Sequence, residues 1–263
     1  MTSKPMDTLD TSTAAREPKR GLPPLTLNAS LRWDAISRML PENLGNTLEI
    51  GCGRGGVTAR IADKTTGLTA IEPDPVSFAL AKSNIGHIAE LHNCMSYDLP
   101  DAQTYNTICA FEVLEHIEDD RSALLEWRGK LKQGGNLILS VPAWSDKMGA
   151  WDEIAGHFRR YDPQQLKALL EASGFEDVRV EAYGAPAGYL LEAFRNFSGR
   201  RMLADGGKDI DFADRTAGSG RLMQPDNGLS GLLTTIAARP MVWMQRLFKG
   251  RGVGLVAYAR LPE

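Results

Sequence analysis

Apolar runs and amphipathic stretches alternate along the first half of the chain. Five short runs have the apolar and β-branched character of buried strands: residues 47–50, 67–71, 88–91, 105–111 and 136–141. Helical spacing of apolar positions predicts helices over residues 28–40, 57–62, 76–83 and 122–132. Asn28 or Ser30 is the predicted N-cap of the first helix, which ends before Pro41. Strands that alternate with helices predict an α/β fold with a doubly wound parallel sheet.

The second half contains one more helix and two more strands with clear patterns. Pro163 opens a helix that runs to residue 172, and strands follow over residues 175–183 and 252–260. The stretch between these strands is too long for a hairpin loop, so we predict a largely helical insertion over the substrate side. The predicted organisation is a mobile arm (1–27), a core (28–183), the helical insertion (184–251) and a closing strand (252–263).

Composition is that of an ordinary globular protein, with 263 residues of which 43% are hydrophobic and 24% charged. The formal net charge of −3 argues against a broad nucleic-acid surface. Three cysteines without a C-x-x-C pair favour a reduced compartment. No apolar run approaches the ~20 residues that span a bilayer, and the first residues, with Asp7 and Asp10, do not resemble a secretory signal. We therefore predict a cytoplasmic protein.

A glycine turn follows the first strand, with the spacing Gly51-x-Gly53-x-Gly55 and an acidic residue, Glu49, ahead of it. Strand, glycine turn and helix in this order present backbone N–H groups to a bound cofactor. The pattern resembles the first motif of class I S-adenosylmethionine (SAM)-dependent methyltransferases. A carboxylate at Glu49 would repel a dinucleotide pyrophosphate but attract the cationic sulfonium and amino groups of SAM, so charge favours SAM over NAD.

Two more segments are similar to the same family. Residues 112–117 read Glu-Val-Leu-Glu-His-Ile, similar to the signature after the fourth strand, and Gly134-Gly135 leads into the fifth strand as in the family. The resemblance covers roughly residues 28–183. It implies a seven-stranded, mostly parallel sheet whose last strand is antiparallel, SAM as methyl donor with S-adenosylhomocysteine (SAH) as product, and a small-molecule acceptor.

The resemblance also implies which residues hold the cofactor. The candidates are Glu49, Gly51, Cys52, Gly53, Glu72, Pro73, Met95, Ser96, Phe111 and Glu112. Glu72, at the tip of the second strand, is the expected partner of the ribose hydroxyls. Many relatives have an acidic residue where Met95 stands. Adenine recognition is then left to the Ser96 backbone, to packing by Met95, or to Asp98 from a shifted loop.

Catalytic candidates lie in the segment after the fifth strand, residues 142–161, which has no regular period. His157 is the first candidate for a general base because an imidazole titrates near neutral pH, and Tyr161 is expected to orient it or the substrate. The alternative is that His157 only pins the loop. Arg159 and Arg160 are expected either to clamp a substrate anion or to pair with protein groups, one in each role.

His116 is a catalytic candidate through a second arrangement, a divalent-metal site. If the turn after the fourth strand is helical, Glu112, Glu115 and His116 share a face, and His157 is the candidate fourth ligand. Small-RNA 2′-O-methyltransferases use a similar Glu-x-x-Glu-His cluster with a metal. The alternative is a purely structural role for His116.

Two helices are expected near the ligands. The first helix resembles one that lies over the SAM pocket in the family, which would place Arg32, Trp33 and Asp34 there, although Trp33 is also suited simply to pack. Residues 232–249 are apolar with basic residues toward their end. They fit either an amphipathic helix that contacts a membrane or a lipid-like substrate, or a helix that packs on the domain, which the interruption at Pro240 favours.

The sequence therefore predicts a SAM-dependent methyltransferase acting on a small molecule, with oxygen as the first candidate acceptor and nitrogen or carbon next. One alternative is a protein of the same fold that binds SAM or SAH without methylating. A second alternative, an RNA methyltransferase, would need a basic face that the net charge does not indicate. The sequence does not identify the acceptor or the oligomeric state.

Overall fold

A computed structural model describes residues 22–204 and 238–263. The strands are β1 (Gly45–Ile50), β2 (Thr65–Ile71), β3 (Glu90–His92), β4 (Tyr105–Phe111), β5 (Leu131–Pro142), β6 (Glu176–Gly184) and β7 (Gly252–Arg260). The α-helices are α1 (Leu27–Met39), α2 (Thr58–Ile61), α3 (Pro75–Ile85), α4 (Asp120–Gly129), α5 (Ala150–Ala155), α6 (Pro163–Ala172) and α7 (Ala187–Ala204). Residues 238–245 are also helical. Within these ranges no helix is both long enough and apolar enough to cross a bilayer.

The seven strands form one sheet in the order β3-β2-β1-β4-β5-β7-β6. β7 is antiparallel to both of its neighbours, and the other strands are parallel to one another. The predicted α/β fold with a mostly parallel, doubly wound sheet and an antiparallel last strand is confirmed.

Both faces of the sheet are covered, which explains why its central strands read as continuous apolar runs. Successive side chains of β4 alternate between the faces: Ile108 and Ala110 join one core cluster, and Cys109 and Phe111 join the other. The first cluster also contains the fully buried Trp127 of α4. Helices on the two faces hold the sheet rigid beneath the loops at its edge.

The sheet order reverses next to β1, because the chain turns from β1 to β2 on one side and later returns to β4 on the other. Loops that follow neighbouring strands diverge at such a point and leave a crevice at the carboxyl ends of the strands. The glycine turn after β1 and the segment after β4 therefore face the same crevice.

The first helix begins earlier than the sequence predicts. Neither Asn28 nor Ser30 caps it: the cap is Thr26, whose side-chain oxygen accepts a hydrogen bond from the Ala29 N–H at 3.1 Å. Of the predicted mobile arm, residues 1–21 lie outside the described residues, whereas Leu25 is buried against the core.

Several other predicted bounds also differ from the structure. The third strand is Glu90–His92 rather than 88–91, because the Ile88 and Ala89 N–H groups bond back to the Ile85 carbonyl. α4 ends at Gly129, so β5 starts at Leu131 instead of residue 136. The sixth strand is shifted by one residue.

The predicted insertion is helical at both described ends. α7 covers its beginning and residues 238–245 are helical near its end, while residues 205–237 lie outside the described residues. α7 packs on α5, where the Trp151 N–H donates to the Asn196 side-chain oxygen at 3.1 Å. This contact positions the insertion beside the predicted catalytic segment.

Candidate functional site

A cavity of about 830 Å³ opens at the carboxyl ends of β1, β2 and β4. It is lined by all of the predicted cofactor residues: Glu49, Gly51, Cys52, Gly53, Glu72, Pro73, Met95, Ser96, Phe111 and Glu112. The volume lies in the range of pockets that enclose small ligands. The same cavity reaches His116, His157 and Arg160, so cofactor and catalytic candidates share one space.

The glycine turn leaves its backbone open to this cavity. Gly51 and Gly53 have φ of 69° and 56°, a left-handed conformation that favours glycine. A Cβ at Gly53 would meet no atom within 4 Å. The open space beside Gly53 thus lets a ligand approach the backbone directly.

Glu72 lies at the end of β2 and binds the backbone of the glycine turn. One carboxylate oxygen accepts from the Gly53 N–H at 2.8 Å and the other from the Asp74 N–H at 3.0 Å. Burial raises the pKa of Glu72, although these two hydrogen bonds act to lower it. Each carboxylate oxygen can accept a second hydrogen bond, so Glu72 retains capacity for ligand hydroxyls.

Glu49 lies on β1 beneath the turn and is 2% exposed. Burial raises the pKa of Glu49 to about 7. Its Oε2 atom has no hydrogen-bond partner among the described residues. A buried carboxylate oxygen without a donor is unfavourable on its own and is stabilised by a cationic group brought into the cavity.

Met95 and Ser96 line the cavity, but Asp98 does not. The Asp98 carboxylate instead accepts the Met95 N–H at 2.9 Å and fixes the loop. The Ser96 hydroxyl donates to Glu126 at 2.7 Å. Of the three alternatives for adenine recognition, the structure therefore leaves the Ser96 backbone and packing by Met95.

Glu112 follows β4 with φ of 58°, which is uncommon for a residue other than glycine. Its carboxylate pairs with Arg32 of α1 at 3.2 Å and accepts from the Ser140 hydroxyl at 3.0 Å. Although burial opposes it, the Arg32 guanidinium holds the pKa of Glu112 below its usual value. This ion pair brings α1 over the cavity.

His157 is held by a buried carboxylate that sequence reasoning did not single out. Its Nδ1–H donates to Asp152 Oδ1 at 2.8 Å, and its backbone N–H donates to the Asp152 carbonyl at 2.9 Å. Arg160 binds the same carboxylate, with Nε to Oδ1 and Nη2 to Oδ2 both 2.8 Å. Although burial opposes them, these hydrogen bonds hold the pKa of Asp152 below its usual value.

His116 stands edge-on to His157, with 4.8 Å between the ring centroids. Its Nδ1 lies 3.2 Å from the Gly156 carbonyl, which fixes the proton on Nδ1. Burial lowers the pKa of His116 to about 4, so the ring is neutral near pH 7. Both histidines therefore use Nδ1 for protein contacts and keep Nε2 for other partners.

The ligand atoms of Glu115, His116 and His157 lie within 4.8 Å of one another. Burial raises the pKa of Glu115 well above its usual value, and neither of its carboxylate oxygens has a described hydrogen-bond partner. The predicted set of metal ligands differs from this group in one member. Glu112 is not part of this group, since its side chain turns to Arg32 and Ser140.

Tyr161 does not line the cavity. Its buried hydroxyl lies 3.0 Å from the Asp120 carboxylate, so the expected contact with His157 or a substrate is not present. Arg159 pairs with the same carboxylate at 2.6 Å. Both residues anchor the segment to the start of α4.

The expected substrate clamp is not present at Arg160 either. Arg160 lines the cavity, as one of the two arginines was expected to do, but it pairs with Asp152 and with Glu192 of α7. Its role in the structure is to fix the carboxylate that holds His157.

The cavity is also lined by residues that the sequence did not assign to the site, among them Trp151, Tyr183 and Arg195. These three come from α5, the end of β6 and α7, and no spacing in the sequence connects them. Asp152 carried a weak signal, because it precedes His157 by five residues in the segment already suspected.

The α1 residues next to Arg32 have structural partners. Trp33 packs on a core cluster, as the simpler interpretation held. Asp34 is buried and accepts hydrogen bonds from Gln245 at 2.8 Å and from Arg246 Nε at 2.9 Å.

The predicted amphipathic segment, 232–249, is described only from residue 238. There Ala238 and Gln245 are buried, while Trp243 and Leu247 are 64% and 67% exposed. One face of this helix packs on α1 and another faces outward. The exposed face is available for contact with a membrane or a lipid-like substrate, which stays a prediction.

A family model described as a methyltransferase domain matches residues 26–180. The chain is 31% identical over 129 residues to an uncharacterised methyltransferase of Mycobacterium tuberculosis, covering 47% of this chain and 65% of the relative. It is 31% identical over 102 residues to the mitochondrial ubiquinone biosynthesis O-methyltransferase of Schizosaccharomyces pombe, covering 36% of each protein. The matches thus span less than two thirds of either relative's length.

The fold is similar to that of a solved phosphoethanolamine N-methyltransferase of Haemonchus contortus, crystallised with SAH. The TM-score is 0.56 at 15% identity, covering 88% of this chain and 52% of that one. The family match spans more than half of the chain and contains the glycine turn, Glu72 and the segment after β4. The chain therefore belongs to the methyltransferase-domain family, and its fold is that of the class I SAM-dependent methyltransferases.

Proposed function

We propose that this protein transfers the methyl group of SAM to an oxygen atom of a small-molecule acceptor. The observation that carries the proposal is the Asp152–His157 hydrogen bond in the cavity that the glycine turn also lines. A hydroxyl acceptor must lose its proton as the new bond forms, and a carboxylate-held histidine is a suitable general base.

The cavity residues fit SAM. Gly53 leaves open backbone, Glu72 has unused acceptor capacity, and the unpartnered Glu49 oxygen is suited to a cation. Gly53 would contact the part of SAM that faces the turn, Glu72 would bind the ribose hydroxyls, and Glu49 would lie near the positive charge. When bound, SAM supplies a methyl group made electrophilic by the adjacent positive sulfur.

His157 is the only described cavity histidine whose Nδ1 is bound to a carboxylate. With Nδ1–H donated to Asp152, its Nε2 is the atom that accepts the acceptor proton. The ionised Asp152 then stabilises the imidazolium that forms. Arg160 keeps Asp152 ionised and in place, so it acts as a positioning residue.

Oxygen is favoured over nitrogen by the relatives as well as by the base. The Schizosaccharomyces pombe relative is an O-methyltransferase at 31% identity, whereas the N-methyltransferase structure is similar at 15% identity and supports only the fold. A neutral amine also needs a base less than an alcohol does, because it can be attacked through its lone pair before it loses a proton.

A divalent metal at Glu115, His116 and His157 is the second candidate role for these side chains. Histidines that bind metals commonly donate their other ring N–H to a carboxylate or a carbonyl, as His157 and His116 do here. Glu115, with two unpartnered oxygens, would be the third ligand. In that case His157 would not be free to act as a base.

The test is transfer of a ¹³C-labelled methyl group from SAM to a panel of phenols and alcohols, each matched by the amine of the same skeleton. The proposal predicts labelled methyl ethers, identified by mass and by the carbon chemical shift. Label found only in methylamines would contradict the choice of oxygen. Release of SAH without any labelled product would contradict transfer to these acceptors.

A further inference from the structure

The cavity contains an arginine that forms no ion pair with the described residues. Arg195 lies on α7 and lines the cavity together with Trp151 and Tyr183. Its Nε atom is buried and has no hydrogen-bond partner among residues 22–204 and 238–263. Its Cζ lies 5.4 Å from the centre of the Trp151 ring, a cation–π contact that holds the guanidinium in place.

The other arginines on this side of the cavity are paired. Arg32 binds Glu112 at 3.2 Å, and Arg160 binds Asp152 and Glu192. No carboxylate of the described residues lies within the 4.0 Å of an ion pair with Arg195. Arg195 is therefore a cation in the cavity wall whose counter-charge the described protein does not supply by contact.

Taking a guanidinium partly out of water without a partner is unfavourable, and burial lowers the pKa of Arg195 accordingly. The planar guanidinium matches a carboxylate or a phosphate with two parallel hydrogen bonds. An anionic ligand group beside Arg195 would offset the unfavourable free energy of burying the guanidinium charge.

We propose that Arg195, held against Trp151, binds a carboxylate or phosphate group of the methyl acceptor. This inference rests on the proposed methyl transfer. It names the acceptor as an anion, with the anionic group anchored on α7 and the methylated oxygen directed to His157.

The position of Arg195 in the chain assigns it to the acceptor rather than to SAM. The family match ends at residue 180, so Arg195 lies outside the segment that the family model matches. The donor is common to the family while acceptors differ, and α7 lies in the predicted insertion between β6 and β7. The residues suited to SAM come from the glycine turn and from β2 instead.

The experiment is calorimetric titration of the full chain, loaded with SAH, with benzoate, with inorganic phosphate and with benzamide as the neutral match of benzoate. We expect at least one anion to bind, and benzamide to bind about tenfold or more weakly than benzoate if the group is a carboxylate. Preference for phosphate over benzoate would assign a phosphate instead.

Arg195→Gln is expected to raise the dissociation constant of the bound anion about tenfold or more and to leave the SAH dissociation constant within about twofold. Arg200→Gln, on the exposed part of the same helix, is the matched control and should change neither. The Tm of each variant, measured beside the titrations, checks that the fold is retained. Arg195→Lys, which keeps the charge, should retain part of the anion affinity.

Two results would overturn the inference. If neither anion binds more tightly than benzamide, the acceptor is not held through an anionic group. An equal loss of SAH affinity in Arg195→Gln would assign Arg195 to the cofactor. If the wild-type protein does not bind SAH, the proposed function fails instead, and anion titration of the unloaded protein and its Arg195→Gln variant still tests Arg195.

Discussion

His157 donates its Nδ1–H to Asp152 at 2.8 Å across the end of α5. The chain turns back at Gly156, which has φ of 74°, and this turn brings the imidazole beside a carboxylate five residues earlier. The same carboxylate receives two hydrogen bonds from Arg160. A partly exposed histidine bound through Nδ1 to a buried aspartate, at a cofactor-sized cavity, is the arrangement on which the proposed proton transfer depends.

Replacing His157 should therefore remove the base without removing the donor site. His157→Ala is expected to lower kcat by a factor of about 10²–10⁴, while the dissociation constant of SAH stays within about twofold. SAH release measured at saturating SAM checks the first value and calorimetry the second. His87→Ala, at an exposed histidine outside the cavity, is the control. An unchanged kcat in His157→Ala would remove His157 from the mechanism.

Glu72 should affect the binding of the methyl donor rather than the removal of the acceptor proton. Glu72→Ala removes the acceptor of the Gly53 N–H and the predicted ribose contacts, so the SAM dissociation constant is expected to rise about tenfold or more. Glu42→Ala, at an exposed glutamate ahead of β1, should leave it unchanged. Titration of both variants with SAM provides the comparison, and equal affinities would show that Glu72 only shapes the turn.

Glu49 should make stability depend on pH. Its pKa rises from 4.5 to about 7 on folding because the side chain is buried. The folded protein then binds the proton more tightly than the unfolded chain, so Glu49 lowers the free energy of unfolding as pH rises from about 4.5 to 7. Glu49→Gln should remove this loss and gain on the order of 2–3 kcal/mol relative to wild type between pH 4.5 and pH 8.

Urea denaturation of both proteins across this range checks the prediction. The lowered pKa of His116, about 4, acts in the opposite direction below pH 6.5, but it is common to both proteins and cancels in the difference. A difference that stays constant with pH would mean that Glu49 ionises at its ordinary value. Despite the gain in stability, Glu49→Gln should bind SAM more weakly, since it replaces a carboxylate that faces a cation.

Chelation separates the two roles of the histidine cluster. If His157 is the base, dialysis against EDTA should change kcat by less than about twofold. Loss of activity that Mn²⁺ or Zn²⁺ restores would favour the metal role instead, and Glu115→Gln should then abolish the restoration. Direct titration of the EDTA-treated protein with each metal gives an independent measurement of binding.

The fold could be predicted from the sequence wherever burial dictates the pattern. β4 and β7 have the predicted bounds because both are mostly buried on their two faces. Errors occurred where a side-chain or backbone contact sets the end of an element. Thr26 caps α1 through its own oxygen, and the Ile85 carbonyl holds Ile88 and Ala89 out of β3.

In the candidate site, too, some positions follow from local sequence and others depend on contacts between distant segments. Residues on the glycine turn and at strand ends reach one cavity because local order and sheet topology place them there. Arg195 could not be predicted, because its position depends on how α7 packs against α5 and β6, a contact between segments far apart in the chain. Tyr161 was assigned the wrong surroundings because a segment without a period does not indicate which way a side chain points.

The most direct test of the central claim is a pair of titrations of the wild-type protein, one with SAM and one with NAD⁺. A pocket whose buried carboxylates, Glu49 and Glu72, suit a cation and a ribose should bind SAM saturably with one molecule per chain and should show no measurable binding of NAD⁺. Tighter binding of NAD⁺ than of SAM, or no saturable binding of SAM, would contradict the account.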